Sequence, residues 1–557
     1  MLRVRWVGRI AYREALELQT ALFENGREQH LLLLEHDHVF TYGPRADLAK
    51  NLLCEPAEVG ADFVSVKRGG DITYHGPGQL VGYPILNLDN RIGAQQHVCE
   101  VEQLVIDTLE ALGVTNAGRL KGYAGVWLDA DTDRRRKISA IGVRLANGRT
   151  MHGFALNIAP DMSYMRKHIV PCGISEYPVT SLREEGIDVD MRTVVDVVAR
   201  LASERWSLGE TERQDVAWVH RPDDLSRFSR GEGPGEPVRM RGRLAAAGVG
   251  DGLDVAERKP EWLRPKVRID NEVLKVKATV RDLNLATVCE EAGCPNLSEC
   301  WSDGTATFMV LGERCTRACG FCLVDTRKPL VPESDEPARV AEAVTRMGIT
   351  HAVLTMVARD DLTDGGFSHV AECVRAIRER KPGTMIETLV SDAKGDRASL
   401  EFLFAARPDV FNHNIETVAR LQRAVRPSAG YARSLGVLAA AKNAGLTVKS
   451  GLVLGMGESV EEVDGCLADL AAVGVDIVTI GQYLRPTSNH LPVARFIEPA
   501  EFERWKMVGE GLGIGHVESS PLTRSSYHAR QAADSVRTAL VHNGNTSPVP
   551  VALTPRK

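Results

Sequence analysis

The chain has 557 residues, a formal net charge of −6 and 5% aromatic residues. Its length is too great for one hydrophobic core and suits two domains. The sequence has no broad basic field of the kind that binds nucleic acid. Its longest apolar runs fall well short of a membrane span. The sequence therefore predicts a cytosolic protein of two domains.

Residues 1–215 contain stretches in which apolar and polar positions alternate, as in half-buried strands. The clearest stretches are 79–87 and 149–157, and residues 99–112 have the apolar spacing of a helix. This mixture predicts a mixed sheet covered by helices, which is an α+β domain.

Four motifs follow one another in this first domain. They are Arg68-Gly-Gly-Asp-Ile-Thr-Tyr-His-Gly-Pro-Gly-Gln79, Lys137-Ile-Ser-Ala-Ile-Gly-Val-Arg144, Met151-His-Gly-Phe-Ala-Leu-Asn157 and Pro171-Cys-Gly-Ile174. Together they resemble the lipoyl(octanoyl) transferases, whose fold is that of the biotin and lipoate ligases. The resemblance implies an acyl-binding surface made by Arg68, Gly69, Gly70, Asp71, Ile72, Thr73, Tyr74, His75, Ala140, Ile141, Gly142, Gly153, Phe154 and Ala155. For the presence of His75 and His152, ordinary hydrogen bonding in a loop is as good an explanation as a catalytic role.

A cysteine nucleophile is expected, because an acyl group moves most easily from a thioester to an amine through a second thioester on the enzyme. Cys54 and Cys99 lie in no motif, whereas Cys172 matches the nucleophile of the resembling family and Lys137 matches its partner lysine. An ammonium about 4 Å from a thiol is worth up to roughly 4 kcal/mol at an effective dielectric near 20, which favours the thiolate. The alternative for Lys137 is a surface position in the basic run 134–137.

Residues 216–257 have the composition of a linker. Residues 231–252 include seven glycines in 22 positions, together with Pro234 and Pro237. Such a composition cannot bury enough apolar surface to order itself. We expect a flexible connection between the domain 1–215 and a second domain 258–557, and a disordered tail from about residue 535.

The second domain alternates apolar β-branched runs with helical patterns. Strands are predicted at 351–355, 385–390, 410–414, 446–454 and 475–480, and an amphipathic helix at 460–473. Near-continuous apolar strands separated by helices predict a parallel sheet. Polar residues collect where these strands end, namely Asp360, Asp361, Asp392, Asn414, Glu416 and Gln482. As a set they indicate the active-site edge of a partial (β/α) barrel, although each one alone could equally cap a helix.

Six of the eleven cysteines crowd into one stretch. They form two sets, Cys289-x4-Cys294-x5-Cys300 and Cys315-x3-Cys319-x2-Cys322. Two three-thiolate sets suit two iron–sulfur clusters, each with one iron that lacks a cysteine ligand. A zinc site would need paired Cys-x2-Cys units with a fourth ligand, and the odd number of cysteines disfavours disulfides.

The second set resembles the cluster signature of the radical S-adenosylmethionine (SAM) enzymes. With the first set and Arg524-Ser-Ser-Tyr-His-Ala529, it resembles lipoyl synthase over roughly residues 258–530. The resemblance implies a [4Fe–4S] cluster on Cys315, Cys319 and Cys322 that binds SAM and splits it reductively to a 5′-deoxyadenosyl radical. It also implies an auxiliary [4Fe–4S] cluster on Cys289, Cys294, Cys300 and Ser526 that supplies sulfur. Serine oxygen suits an iron cluster less well than thiolate does, so the iron it holds should be the easiest to lose.

The two resemblances predict a bifunctional, cytoplasmic enzyme of lipoate biosynthesis. The first domain would move octanoyl from octanoyl-acyl carrier protein to a lysine of a lipoyl domain, and the second would insert sulfur at C6 and C8 of that chain. The implied partners are the lipoyl domains of 2-oxoacid dehydrogenase E2 subunits, the glycine cleavage H protein and an electron donor. Two alternatives stay open: an ATP-dependent lipoate-type ligase in the first half, and an iron–sulfur carrier or scaffold in the second.

Overall fold

The computed structural model describes residues 2–26, 28–88, 92–207, 211–215, 243–245, 247–250, 252–253, 257–264, 271–287, 296, 300, 305–487 and 489–542. The chain forms two compact units. The first consists of residues 1–223 together with 430–439, and the second contains residues 224–429 and 440–557.

The first unit contains eleven described strands and five described α-helices. The strands are β1 (Leu2–Ile10), β2 (Gln29–His36), β3 (Val39–Tyr42), β4 (Asp62–Ser65), β5 (Thr73–His75), β6 (Gln79–Ile85), β7 (Ala117–Leu120), β8 (Tyr123–Leu128), β9 (Arg136–Ala146), β10 (Arg149–Asn157) and β11 (Thr211–Asp215). The helices are α1 (Tyr12–Asn25), α2 (Leu48–Asn51), α3 (Ala94–Ala111), α4 (Ser163–Lys167) and α5 (Met191–Trp206), with 3-10 turns at Pro56–Val59 and Pro171–Gly173.

A mixed eight-stranded sheet organises this unit. Its order is β11-β1-β2-β6-β10-β9-β8-β7, and strands β4, β3 and β5 form a separate small sheet. Apolar residues of β2, β6 and β10 form one core with α3 and α5, including Leu33, Leu80, Leu104, Leu156 and Val195. The α+β architecture predicted for the first domain is therefore confirmed, and the helix predicted from residue 99 begins five residues earlier.

The second part of the chain has eight described strands and nine described α-helices. The strands are β12 (Ala286–Thr287), β13 (Thr305–Val310), β14 (His351–Met356), β15 (Met385–Leu389), β16 (Val410–Asn412), β17 (Thr447–Leu454), β18 (Ile477–Gln482) and β19 (His516–Ser519). The helices are α6 (Asn271–Asp282), α7 (Glu336–Arg346), α8 (Phe367–Arg380), α9 (Arg397–Ala406), α10 (Gln422–Val425), α11 (Tyr431–Asn443), α12 (Val460–Ala472), α13 (Pro499–Gly511) and α14 (Ala529–His542).

These eight strands form one sheet in sequence order, from β12 to β19. Neighbours from β13 to β19 are parallel, and β12 is antiparallel to β13. Helix α12 begins as the sequence predicts, because Ser459 accepts a hydrogen bond from Glu462 N in a capping box. Since parallel strands end at one edge, the loops after β13 to β19 meet there, and the predicted partial barrel is confirmed.

The prediction of a flexible linker is wrong for its last third. Leu244 is fully buried, and the Leu253 amide donates to the Val493 carbonyl at 2.6 Å. Val249 covers the backbone of Gly457, where an added Cβ would lie 2.5 Å from a Val249 methyl. The few apolar residues among the glycines therefore anchor the described residues 243–245, 247–250 and 252–253 on the second unit, and most of the remaining linker lies outside the described residues.

The prediction of disorder from about residue 535 is also wrong in part. Helix α14 continues through His542, and Ala532 and Val536 pack against Ile477 of β18. Burial of these side chains orders the helix, although three prolines follow it in the last 15 residues. Residues 543–557 lie outside the described residues.

Candidate active sites

A cavity of about 370 Å³ opens in the first unit between β6, β9, β10 and the Pro171–Gly173 turn. Twelve of the residues predicted for this site line it, namely Arg68, Gly70, Thr73, His75, Lys137, Ala140, Ile141, Gly142, Gly153, Phe154, Ala155 and Cys172. The predicted acyl-binding residues Gly69, Asp71, Ile72 and Tyr74 are not among its lining residues. Ile72 and Tyr74 are fully buried in the apolar cluster behind it, because alternate residues of an extended segment face opposite sides.

Cys172 and Lys137 meet at the wall of this cavity. Lys137 Nζ lies 3.5 Å from Cys172 Sγ, and Lys137 is 5% exposed. Strand β9 holds the lysine through Lys137 N, which donates to the Pro178 carbonyl at 2.9 Å. The Cys172 amide donates to the Ile72 carbonyl at 2.8 Å. The alternative of a surface lysine is therefore wrong, since the side chain is buried against the thiol.

Gly125 makes room for this lysine. A Cβ at Gly125 would lie 2.5 Å from Lys137 Cε, and Gly125 has a φ of +126°. Its amide donates to Glu102 Oε1 at 3.0 Å, which fixes the backbone beside the lysine. The Trp127 ring lies 5.5 Å from Lys137 Nζ on the other side. A glycine and an aromatic ring thus confine the ammonium to the direction of the thiol.

The Arg68 guanidinium ties the predicted binding loop together. Nη2 donates to the Thr41 carbonyl at 2.7 Å, and Nη1 donates to the carbonyls of Gly69 and Asp71 at 3.0 Å. The Asp71 carboxylate accepts from the Ile72 amide at 2.6 Å. Gly69 and Asp71 therefore belong to the support of the site rather than to its surface.

Three buried histidines lie around the cavity and are neutral near pH 7. Burial lowers the pKa of His36 to about 4 and that of His152 to about 3, and it places the pKa of His75 well below its ordinary value. His152 pairs with Val143, six residues along β9 from Lys137, or about 20 Å at the usual strand rise. The backbone of His152 therefore lies well along the sheet from that of Lys137.

The sequence did not indicate several residues that line the same cavity, among them Tyr12, Val81, Tyr83 and Tyr123. Tyr12 begins α1 and Tyr83 lies in β6, so only the packing of the helix on the sheet brings them together. The Tyr83 hydroxyl donates to His36 Nε2 at 2.8 Å, since His36 Nδ1 faces the Ile10 carbonyl at 3.0 Å. Apart from the resembling motifs, no local pattern marks these positions.

In the second unit, Cys315, Cys319 and Cys322 follow β13 in one loop. Its backbone is anchored on three sides: Cys315 N donates to the Asp325 carbonyl at 2.8 Å, Thr316 N to the Ala358 carbonyl at 3.0 Å, and Gly320 N to the Val425 carbonyl at 2.8 Å. Burial raises the pKa of Cys319 to about 11 and that of Cys322 to about 12. Thiols in such a site become thiolates by binding a metal cluster.

Arg317 fixes this loop at the carboxyl edge of the barrel. Its guanidinium donates to Asp360 at 2.8 Å and lies 2.7 Å from Asp392, which is fully buried. Asp360 follows β14 and Asp392 follows β15, so one side chain joins the loop to two strand ends. The predicted gathering of polar residues at the barrel mouth is confirmed for this pair.

The first cysteine set is described only at Cys300, because Cys289 and Cys294 lie outside the described residues. Cys300 N donates to the Asn296 carbonyl at 3.0 Å, and Asn296 Nδ2 donates to the Leu522 carbonyl at 2.7 Å. Leu522 lies four residues before Ser526. The fold therefore connects the segment of Cys300 directly to the segment of the predicted serine ligand.

The two neighbouring serines of this segment differ in their surroundings. Asn414, which follows β16, donates through Nδ2 to Ser525 Oγ at 2.6 Å. The Ser526 hydroxyl is partly exposed, and it has no hydrogen-bond partner among the described residues. Ser526 therefore has an oxygen available to a ligand, whereas Ser525 is already used in holding the loop.

Within the described residues, no three His, Cys, Asp or Glu side chains converge closely enough for a single metal ion. None of the described helices has the length and apolar character needed to cross a bilayer.

Comparison with known proteins separates the two halves of the chain. Residues 11–202 match the lipoyl protein ligase A/B catalytic domain, residues 249–294 the N-terminal domain of lipoyl synthase, and residues 309–470 the radical SAM superfamily. A lipoyl synthase of Rubrobacter xylanophilus is 53% identical over 281 residues, covering 50% of this chain and 88% of that protein. A lipoyl synthase of Chlorobaculum parvum is 51% identical, covering 49% of this chain and 94% of that protein.

Proposed function

Because the chain belongs to the lipoyl synthase family through its second half and carries a lipoyl protein ligase A/B catalytic domain in its first, we propose that it performs two successive steps of lipoate formation. The first step transfers octanoyl from octanoyl-acyl carrier protein to a lysine of a lipoyl domain. The second inserts two sulfur atoms at C6 and C8 of the bound chain. The acceptors would be lipoyl domains of 2-oxoacid dehydrogenase E2 subunits and the glycine cleavage H protein.

The observation that supports the first step most strongly is the 3.5 Å approach of Lys137 Nζ to Cys172 Sγ at the wall of the cavity. The Cys172 sulfur attacks the thioester carbonyl, a new carbon–sulfur bond forms, and the carrier thiol leaves with a proton from Lys137. The acceptor lysine amine then attacks the acyl-enzyme carbonyl and gives its proton to Lys137. An amide bond forms, the carbon–sulfur bond to Cys172 breaks, and the Cys172 thiolate leaves. A nucleophile beside a group that can hold its proton is the usual arrangement for covalent catalysis.

For the second step, Cys315, Cys319 and Cys322 would hold a [4Fe–4S] cluster with one open iron. When bound, this cluster supplies the electron that cleaves SAM, and an outside electron donor must reduce it. Cys289, Cys294, Cys300 and Ser526 would hold the auxiliary [4Fe–4S] cluster, whose sulfur is consumed. The buried Arg317 keeps the loop of Cys315, Cys319 and Cys322 at the barrel mouth through its ion pairs with Asp360 and Asp392.

An ATP-dependent ligase in the first half is the second candidate, because the matching family is described as a lipoyl protein ligase A/B catalytic domain. The Cys172–Lys137 pair favours the transferase. A ligase activates a free acid through an adenylate and needs no enzyme thiol.

The test is mass analysis of an apo lipoyl domain incubated with the full reconstituted chain. Octanoyl-acyl carrier protein without ATP should add one octanoyl group, and SAM with a reductant should then add two sulfur atoms. Octanoylation that appears only with free octanoate and ATP would favour the ligase. Failure of the reconstituted chain to cleave SAM under reducing conditions would contradict the second step.

A further inference from the structure

The cavity of the first unit is lined by a hydrogen-bond acceptor that the proposed reaction does not use, Nε2 of His75. His75 lines the cavity and is 7% exposed. Its Nδ1 lies 2.8 Å from Gln79 Oε1, and its Nε2 has no hydrogen-bond partner within the described chain. The Tyr12 ring stacks on it at 5.9 Å, so the imidazole is held in one plane.

A chain of side-chain amides decides which nitrogen of His75 carries the proton. Asn157 Nδ2 donates to the Thr180 carbonyl at 3.0 Å, so Asn157 Oδ1 accepts from Gln79 Nε2 at 2.9 Å. Gln79 Nε2 also donates to the Tyr74 carbonyl at 3.3 Å, which leaves Gln79 Oε1 to accept from His75. The proton therefore resides on Nδ1, which leaves Nε2 of this cavity-lining ring as an acceptor.

This acceptor is poorly matched to an entirely aliphatic chain. Burial lowers the pKa of His75 well below its ordinary value, and the nearby His36 and Arg68 lower it further, so the ring stays neutral. An acceptor that loses water without gaining a partner is destabilised. A ligand group that donates a hydrogen bond to His75 Nε2 would remove that cost.

The position of His75 corresponds to the last carbons of a medium-length chain. Cys172 N donates to the Ile72 carbonyl, and His75 lies three residues further along the same extended segment, or about 10 Å. Three backbone bonds of extended polypeptide span about 3.5 Å, so the seven carbon–carbon bonds of octanoyl span about 8 Å. If a chain attached to Cys172 Sγ runs along this segment from Ile72, its carbons at about C6–C8 come level with His75.

We propose that this cavity also accepts medium-chain acyl groups with a hydroxyl at their far end, whose O–H donates to His75 Nε2. The inference rests on the proposed transferase function and extends its substrate class. The covalent steps are unchanged: the donor carbon–sulfur bond breaks, the bond to Cys172 forms, and the hydroxyl takes no part in either.

The first test compares two substrates of equal size on the unmodified full chain. The 8-hydroxyoctanoyl and nonanoyl thioesters of a carrier protein differ only in a terminal hydroxyl and methyl group. We expect kcat/KM for the hydroxyacyl donor to equal or exceed that for nonanoyl. A tenfold preference for nonanoyl would overturn the proposal, because it is the result for an apolar pocket end.

The second test changes the acceptor. In His75→Phe, the kcat/KM ratio of 8-hydroxyoctanoyl to nonanoyl should fall at least about fivefold, the value of one neutral hydrogen bond. In the matched control His38→Phe, which changes a half-buried histidine of the same unit that does not line the cavity, the ratio should stay within about twofold. An unchanged ratio in His75→Phe would overturn the proposal, and if that variant does not fold, the substrate pair decides.

Transfer from the octanoyl thioester of the carrier protein is measured beside transfer from both of these donors. If the unmodified chain transfers neither octanoyl nor its analogues, the proposed function itself fails. If octanoyl is transferred and the hydroxyacyl donor is strongly disfavoured, only the inference about His75 fails.

Discussion

Two consecutive residues at the candidate nucleophile have left-handed backbone conformations. Cys172 has a φ of +56° and Gly173 a φ of +68°. Such a conformation costs a non-glycine residue of the order of 1–3 kcal/mol, and it persists where the surrounding structure fixes it. Here the hydrogen bond from Cys172 N to the Ile72 carbonyl fixes it, which directs the thiol at Lys137.

Replacing this thiol should separate the two activities. In Cys172→Ser, we expect transfer from the carrier protein to be abolished, while sulfur insertion into a preoctanoylated lipoyl domain stays intact. Acyl-enzyme mass and lipoyl-domain mass measure the two steps. Cys99→Ser is the matched control, because Cys99 is an exposed cysteine of the same unit. Normal acyl-enzyme formation in Cys172→Ser would mean that another cysteine is the nucleophile.

Gly125→Ala should displace Lys137, because the added Cβ would lie 2.5 Å from Lys137 Cε. A misplacement near 1 Å can cost roughly 100-fold in rate, and we expect a loss of that order in kcat/KM for transfer. The rate of Cys172 alkylation at neutral pH should fall with it, which a purely structural change would not require. Gly118→Ala is the control, since its Cβ would meet nothing closer than Ala130 Cβ at 4.0 Å. Equal alkylation rates in the two variants would contradict the role given to Gly125.

The two cysteine sets should have separable functions. Cys315→Ala should eliminate SAM cleavage, whereas Cys294→Ala should leave SAM cleavage measurable and block sulfur transfer. The reason is that one cluster would generate the radical and the other would supply sulfur. The readouts are 5′-deoxyadenosine formation and lipoyl-domain mass, with iron content showing that each variant retains its other cluster. Loss of 5′-deoxyadenosine in both variants would contradict this division.

At the scale of elements, one buried ion pair joins strands of the barrel interior. Lys449 Nζ of β17 lies 3.0 Å from Glu387 Oε1 of β15, and Asn412 Nδ2 of β16 donates to the same carboxylate at 2.9 Å. All three side chains are fully buried. Burial alone would raise the pKa of Glu387, but Lys449, together with His351 and Asn412, lowers it to about 2.

Removing one partner of this pair should destabilise the barrel strongly. Lys449→Met leaves Glu387 buried without a counter-charge, and we expect a loss of about 3–5 kcal/mol in the free energy of unfolding. The double variant Lys449→Met with Glu387→Gln should recover most of it. Chemical denaturation of the full chain, followed by the unfolding of the second unit, measures both. A double variant as unstable as the single one would show that the lysine acts by packing instead.

The same pair predicts a dependence of stability on pH. The pKa of Glu387 is lower in the folded state than the ordinary value of 4.5, so the folded state binds fewer protons than the unfolded state below that pH. The stabilisation is therefore complete above about pH 4.5 and is lost as the pH falls towards 2. This part of the acid dependence should be absent in Glu387→Gln.

At the scale of the whole molecule, each candidate site is built from residues of its own unit. The residues that line the cavity of the first unit fall between Tyr12 and Ile174. The described residues among the predicted cluster ligands fall between Cys300 and Ser526. Cleavage near residue 235, outside the described residues, should therefore leave kcat/KM of each isolated step within about twofold. Joining two enzymes does not hold their shared substrate, so only the coupled rate in dilute solution should fall. A large loss in either isolated step would indicate that the halves depend on each other.

The sequence by itself determined the two families, the types of fold and the residues that would carry the chemistry. Apolar periodicity fixed β14 to β18 and α12, because strands and helices bury side chains at different spacings. Motif residues such as Cys172 and Lys137 were found because a reaction limits which side chains can serve. Composition was less reliable: it marked residues 243–253 and 535–542 as unstructured, although a few apolar side chains suffice to anchor them.

Only the tertiary structure decided what lies around those residues. It placed Gly125 beside Lys137, brought Tyr12 and Tyr83 to one cavity, and joined Arg317 to the ends of two strands. These contacts join positions far apart in the chain, and no local pattern of residues encodes them. The proton position on His75 likewise depends on Gln79, Asn157 and a distant carbonyl, so it follows from packing and hydrogen-bond geometry rather than from the order of residues.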